Sequence, residues 1–273
     1  MHSNTVSPAL AHCRALSCVQ LSRVYRVSPA EKAAQWLNVC GSVGHLASPT
    51  GTDMQTRKTG VRAQQADRTR DNILKAAVKV FSKEGFTGGR IEQISTLAKS
   101  NDRMIYYYFG SKEKLFVKVL EHTYEQFNQA ESQLQLDPAT PVETLQQLVA
   151  FVWEYYVTHP EFVAILSIEN LHKGKHAKQS GELRRLSGEA VGVLKPIIEA
   201  GQQQGLFRSD VDLKHVYLMI ASLCYFYNSN LHTLTSFLGQ DMGSQGQRQD
   251  WLAFIQDLVV RGVRVLPASE AFP

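Results

Sequence analysis

Residues Arg90–Phe109 read RIEQISTLAKSNDRMIYYYF, and the reading of this stretch decides the fold. Ile91, Ile94 and either Leu97 or Ala98 recur at helical spacing, so the first half is a short amphipathic helix with Glu92, Gln93, Ser95 and Lys99 facing away. The break Lys99-Ser100-Asn101 follows, and Asn101 or Asp102 can cap the next helix by accepting a hydrogen bond from one of its free N–H groups. The second helix runs from Arg103 to Phe109, with Ile105, Tyr108 and Phe109 on the packing side and Arg103, Met104, Tyr106 and Tyr107 outside. Three adjacent tyrosines cannot all point inward from one helix. A supporting helix, a tight break and a second helix that keeps polar and aromatic groups outside are the grammar of a helix-turn-helix.

Working outward, the residues just before and after this motif fit the same reading. Asp67 to Glu84 (DRTRDNILKAAVKVFSKE) carries Ile73, Ala76, Ala77, Val80 and Phe81 on one stripe and ends at Gly85, which can take the left-handed conformation that closes a helix. It supplies the third wall of a three-helix domain. A helix placed in the major groove meets base edges with its N-terminal part. Arg103 has the fork that binds guanine O6 and N7 together, worth roughly 1–3 kcal/mol of discrimination. Tyr106, Tyr107 and Lys112 suit phosphates, which fix register and carry little sequence information. Arg90, Asn101, Asp102 and Met104 complete the candidate DNA-facing set. Residues 54–66 form a basic arm, and 54–75 together hold Arg57, Lys58, Arg62, Arg68, Arg70 and Lys75 against Asp67 and Asp71, a charge balance suited to phosphate neutralisation.

The ordered strings TRDNILKAAVKVFSKEGF, RIEQISTLAKS and MIYYYFGSKEKLF closely resemble the DNA-binding domain of the tetracycline-repressor (TetR) family. The Phe-x-x-x-Gly-Phe close of the first helix, the Tyr-x-Tyr-Phe close of the reading helix and the Ser-Lys-Glu-x-Leu start of the next occur together. One departure is Lys99, where the family usually places glycine in the turn. The resemblance implies an all-α protein, with an N-terminal helix-turn-helix domain over 67–127 and a larger helical ligand-binding and dimerisation domain over 128–265. NDRMIYYYFGSKE and CYFYNSN further resemble the branch that includes repressors of pyrimidine utilisation and of nicotinate catabolism, which implies a small planar heterocycle or aromatic acid as inducer.

The rest of the chain agrees. At 273 residues, 44% hydrophobic and with net charge +4, it is long enough for two compact units. Residues 1–53 hold Cys13, Cys18 and Cys40 without a sustained period or a long apolar run, so a disordered extension is expected and neither a signal peptide nor a membrane span is. Translation starting at Met54 would remove that extension. The cysteine spacing fits no zinc site, and with Cys224 in an apolar run the chain reads as reduced and cytoplasmic. Residues 266–273 read as a tail.

After the reader, Lys112 to about Glu131 links the two domains, Pro141 to His159 is a helix, and Pro160 opens the next to about Gly174. Gly188, Gly192 and Pro196 divide or bend the segment from Gln179 to Gly201. Val211–Leu238 and Gln247–Val263 are the last strong segments, the first apolar almost all round. Surplus apolar surface of this kind commonly finds its burial in a symmetric partner. The resemblance implies the same, with the final two helices of each subunit at the interface. The candidates there are Val216, Leu223, Leu231, Leu234, Trp251, Phe254, Ile255 and Leu258.

A ligand pocket needs apolar walls and a few converging polar groups. Trp153, Tyr156, Phe162, Tyr217 and Tyr225 are candidates for the walls, and Glu169, Asn170, His172, Asn228 and Asn230 for orientation. His172 and His176 share a metal-compatible spacing, but the intervening Lys-Gly-Lys reads as a solvated helix end, so no metal is expected. GxGxxG, Walker-type, HExxH and Gly-x-Ser-x-Gly strings are absent from the sequence, and neither a cofactor nor an enzyme activity is expected. The expected partners are a double-stranded palindromic operator, a second copy of the chain and a small-molecule inducer, the operator controlling a catabolic or transport operon. Competing readings are an activator or efflux regulator of the same fold, a nonspecific architectural DNA binder, and a helical ligand-binding protein that ignores DNA.

Overall fold

The reading head is built by four helices whose apolar stripes meet at one point. The computed structural model describes residues 53–265; the expected extension, its three cysteines and the expected tail lie outside the described residues. Helix α1 spans Asp53–Gly88 and begins ahead of the expected Asp67, so the backbone of the basic arm is helical. Gly85 interrupts it at φ +73°, turning the chain so that Phe86 folds back to 6.1 Å from Phe81, ring to ring. Helices α2 (Ile91–Leu97), α3 (Asp102–Phe109) and α4 (Lys112–Glu131) follow. Ile73, Ala77, Phe81, Ile94, Ile105, Leu115 and Phe116 are fully buried among them.

Of the two residues left open for the last position of the α2 stripe, Ala98 is buried and Leu97 is half exposed. Ser95, expected outside, is buried, and its hydroxyl donates to the Glu92 carbonyl, which removes the penalty of placing it there. The turn uses Lys99 at φ +51°, the left-handed conformation a glycine would adopt freely. Asn101, not Asp102, is the cap of α3, its side chain accepting from the Met104 N–H at 3.0 Å. Ser111 caps α4 in the same way through the Lys114 N–H.

The larger bundle consists of α5 (Pro141–Thr158), α6 (Pro160–Leu171), a 3-10 turn (Ala177–Gln179), α7 (Gly181–Gly192), α8 (Leu194–Gln203), α9 (Leu213–Ser229), α10 (Leu231–Leu238) and α11 (Gln245–Val263). Two of the expected segments are divided. The first breaks at Val193, which leaves Pro196 in the opening turn of α8, where its missing N–H costs nothing. The second breaks at Asn230, between α9 and α10. Among the described residues there is no strand, only an isolated bridge between Phe207 and Arg264, and no helix is long and apolar enough to cross a membrane.

From residue 58 onward the described residues form one compact unit containing two hydrophobic clusters. The expected domain boundary after residue 127 falls inside α4, which serves both. Its Leu115, Phe116, Val119 and Leu120 lie in the head cluster and its Phe127 in the bundle cluster. Ile165 and Ile168 of α6 and Leu183 of α7 complete the head core from the bundle side.

Candidate nucleic-acid interface and effector region

The outward face of α3 is set by its short length and its burial pattern. With Ile105 and Phe109 committed to the core, Arg103, Tyr106 and Tyr107 are left exposed, Tyr107 at 77%. Its ring packs edge-on against Tyr108 at 5.2 Å, which stiffens the aromatic surface without burying it. Tyr108 is only half-buried, and Met104 is partly buried against the head core. Met104 therefore contributes more to packing than the sequence suggests. Arg90 is the cap residue of α2, and its backbone N–H donates to Gln93 Oε1 at 2.9 Å. Arg90, Asn101, Arg103, Tyr106 and Tyr107 are exposed together on the motif, with Asp102 half-buried at the start of α3.

Lys112, expected among the phosphate contacts, is half-buried and also bonds within the chain. Its ammonium donates to the Thr87 carbonyl at 3.3 Å and sits over the Phe86 ring at 5.0 Å, and partial desolvation lowers its pKa. It ties the end of α1 to the start of α4.

Between head and bundle lies a buried polar latch that sequence reading assigned to other purposes. Glu169 Oε1 accepts from the backbone N–H groups of His176 and Ala177, each at 2.8 Å, and Oε2 accepts from His176 Nδ1 at 2.7 Å. Glu169 is thus consumed by structure and is not free to orient a ligand. His176 is fully buried, with its ring 4.6 Å from Phe86 and 4.9 Å from Phe116. Its Nε2 has no hydrogen-bond partner among the described residues. His172 Nδ1 bonds to the Ile168 carbonyl at 2.8 Å. Lys173 at φ +58° and Gly174 at φ +69° make the turn that carries His176 back to Glu169. In the HKGKH string Lys173 and Lys175 are exposed, as a solvated helix end would have them, while His176 is buried and anchors the turn. No group of three or more His, Cys, Asp or Glu gathers to hold a metal among the described residues.

The remaining ligand candidates divide. Trp153, Tyr156 and Phe162 are buried in the bundle core. Tyr225 is half-buried and shares a 2.7 Å hydrogen bond with the Ser167 hydroxyl. Tyr124, Tyr156, Tyr217 and Tyr225 are close enough to influence one another electrostatically. Burial first, and then neighbouring phenols, push Tyr124 up to about 12 and Tyr156 well above the usual phenol range. Tyr124, on α4, was missed because its stripe position reads as plain core. Asn170 is not part of this group: it is exposed, and its amide donates to the Leu166 carbonyl. Asn228 and Asn230 likewise back-bond, to the Cys224 and Phe226 carbonyls. Cys224 is buried beside them, its thiol pushed up to about 12 by burial.

The interface candidates divide as well. Val216 and Ile255 are buried within the chain, because α9 and α11 pack against α5 with these residues on the inner side. Leu223, Leu231, Leu234 and Trp251 are half-buried against the same core. Phe254 and Leu258 are exposed, and so are Leu218 and Phe226, which were not singled out. Their spacing, 218 to 226 on α9 and 254 to 258 on α11, is the i, i+8 and i, i+4 spacing of residues on one side of a helix and leaves an apolar stripe on each.

Comparison with known proteins accounts for both halves of the molecule. Residues 73–119 match the family of bacterial regulatory proteins of the tetR type, and residues 141–259 match the tetracyclin repressor-like C-terminal domain. The transcriptional repressor NicS of Pseudomonas putida is 74% identical over 211 residues, which cover 77% of this chain and 100% of that protein. The transcriptional regulator RutR of Escherichia coli K12 is 23% identical over 215 residues, 78% of this chain and 99% of its own. Among solved structures, the transcriptional regulator SCO4942 of Streptomyces coelicolor superposes with a TM-score of 0.55 at 23% identity, covering 71% of this chain and 98% of that one, a likeness of fold. A relative aligned along its whole length at 74% identity leaves one conclusion: the chain belongs to the tetracycline-repressor family and is a transcriptional repressor of that type.

Proposed function

We propose that the protein acts as a homodimer, occupies a palindromic operator of a catabolic or transport operon through α3, and is released by a small inducer held among the tyrosines of the bundle. The observation that carries the reading is the exposed Arg103–Tyr106–Tyr107 face beside a fully packed head core. Large aromatics are left in solvent there although the core beneath is complete, as expected of a surface kept for a partner. The exposed stripes of Leu218, Phe226, Phe254 and Leu258 support a partner subunit in the same way. Two heads spaced one helical turn of DNA apart match a palindrome.

The inducer reading rests on Tyr124, Tyr156, Tyr217, Tyr225 and Ser167, a gathering of phenols and a hydroxyl within the bundle whose chemistry suits a heterocycle or aromatic acid. Release requires that the ligand prefer a conformation in which the heads no longer match the operator. A shift from 1:99 to 99:1 takes about 5.5 kcal/mol of differential affinity. The test is a gel shift of the purified protein against DNA flanking its own gene, with excess nonspecific competitor, followed by titration of aromatic and heteroaromatic acids. A discrete shift reversed by one of these acids is expected; a shift that competitor DNA removes equally would favour a nonspecific DNA binder.

A further inference from the structure

Between α1 and the helices α4, α5 and α6 runs an open cleft of about 1100 Å³. Of the residues assigned to inducer binding only Phe162 lines it, so it is a separate place in the molecule. Its volume lies just above the range for small-molecule sites, roughly 300–1,000 Å³, and exceeds what a single-ring acid fills.

Its two walls differ in chemistry. The α1 wall presents Lys75, Lys79 and Lys83, four residues apart and so about 6 Å apart along one face. Lys83 has a long, exposed contact with Glu84 at 3.6 Å, and Lys75 and Lys79 have no ion-pair partner among the described residues. Glu161 is the one acidic residue in the lining, so the cleft carries net positive charge. The opposite wall mixes aromatic, amide and apolar side chains. Tyr155 and His159 stack at 4.0 Å and 11°, and the amides of Gln126 and Gln129 on α4 offer both donors and acceptors. His122, also in the lining, is held below the usual histidine range by burial and so adds no charge at neutral pH.

We infer that this cleft binds a phosphorylated, nucleotide-sized ligand, its phosphates along Lys75, Lys79 and Lys83 and its ring against the Tyr155–His159 wall. Three ammonium groups in a row are more charge than one carboxylate uses, and lysine serves phosphate oxygens well as a point charge. The occupant bridges α1 of the head and three helices of the bundle, so it favours the arrangement in which the cleft is formed, independently of the tyrosine enclosure.

The probe is N-methylanthraniloyl-ADP, followed by fluorescence anisotropy on the full chain. Saturable binding at or below about 100 µM is expected, displaced by unlabelled ADP and not by adenosine. Lys75→Gln/Lys79→Gln should weaken it about tenfold or more, and His159→Ala should weaken it as well, while Tyr225→Phe leaves it unchanged. Unchanged thermal melting of the lysine double variant checks that a loss is not unfolding. Absence of saturable binding, equal affinity in the double variant, or displacement by adenosine as effectively as by ADP would each overturn the assignment.

Discussion

In α3 the core takes Ile105 and Phe109, and the outside keeps Arg103, Tyr106 and Tyr107; in α9 and α11 the core takes Val216, Ile220, Ile255 and Val259, and the outside keeps Leu218, Phe226, Phe254 and Leu258. Both regions leave large side chains in solvent, but of different chemistry. The head exposes groups that hydrogen-bond and carry charge, which suits phosphates and base edges. The end of the bundle exposes side chains with nothing to offer except apolar area, which suits a like surface. The same burial logic thus leaves two exposed surfaces of different chemistry, which the proposed function assigns to two kinds of partner.

The two regions also differ in how they can be damaged. In the bundle, Gly201 lies so close to Phe207 that an added Cβ would sit 2.0 Å from the ring, and in the head Gly89 meets Phe81 at 2.8 Å. The largest effect is expected from Phe81→Ala, which removes the ring that both Phe86 and Phe116 touch and should cost about 3–5 kcal/mol by urea denaturation. Glu169→Ala comes next. It strands one buried and one partly buried N–H group and the His176 ring, and should cost about 3 kcal/mol while loosening the contact of bundle and head. If the latch transmits the inducer signal, the variant should also show a smaller shift in operator affinity on adding inducer. An unchanged melting point would mean that water replaces the carboxylate.

A pH effect separates bundle from head. Burial pushes the Glu131 carboxyl up to about 7. A carboxyl held higher in the folded than in the unfolded chain takes up a proton on folding, so the folded state loses stability as pH rises from about 4.5 towards 7, and below that range no effect remains. Glu131→Gln should therefore stabilise the protein at pH 8, by roughly 2 kcal/mol, and leave it unchanged at pH 4. Equal melting points of variant and parent at pH 8 would show Glu131 to be hydrated. The smallest change runs in the opposite direction to most substitutions: Lys99→Gly frees a left-handed residue from its Cβ and should raise stability by about 0.5–1 kcal/mol, measurable as a higher melting temperature.

How much of this could be read from the sequence follows the same division. The head was legible because each of its helices has one buried stripe and a recognisable end: the Phe81 stripe, the Asn101 cap and the Gly85 turn all stand where periodicity and capping rules place them. What the pattern did not show there is local: Lys112 and Met104 also pack against the head, because flexible side chains reach contacts that spacing does not encode. The bundle was legible in its helix count from α4 to α6 and less so beyond. An all-round apolar helix such as α9 has no single inward face, so Val216 could not be told from Leu218 by pattern. Polar residues in apolar surroundings were read as ligand groups when three of them, Asn170, Asn228 and Asn230, satisfy their own helix, and Glu169 satisfies a turn seven residues on. Which acceptor a buried polar group finds depends on tertiary contacts, and spacing along the chain does not encode them.

The most direct measurement of the central claim is a binding titration of parent and Arg103→Ala against the operator fragment and a scrambled fragment of equal length. Readout through the exposed face of α3 predicts that the variant keeps its melting temperature, since the side chain is exposed, and loses discrimination between the two fragments by roughly 1–3 kcal/mol. A variant that discriminates as well as the parent would contradict that claim and move sequence recognition elsewhere on the molecule.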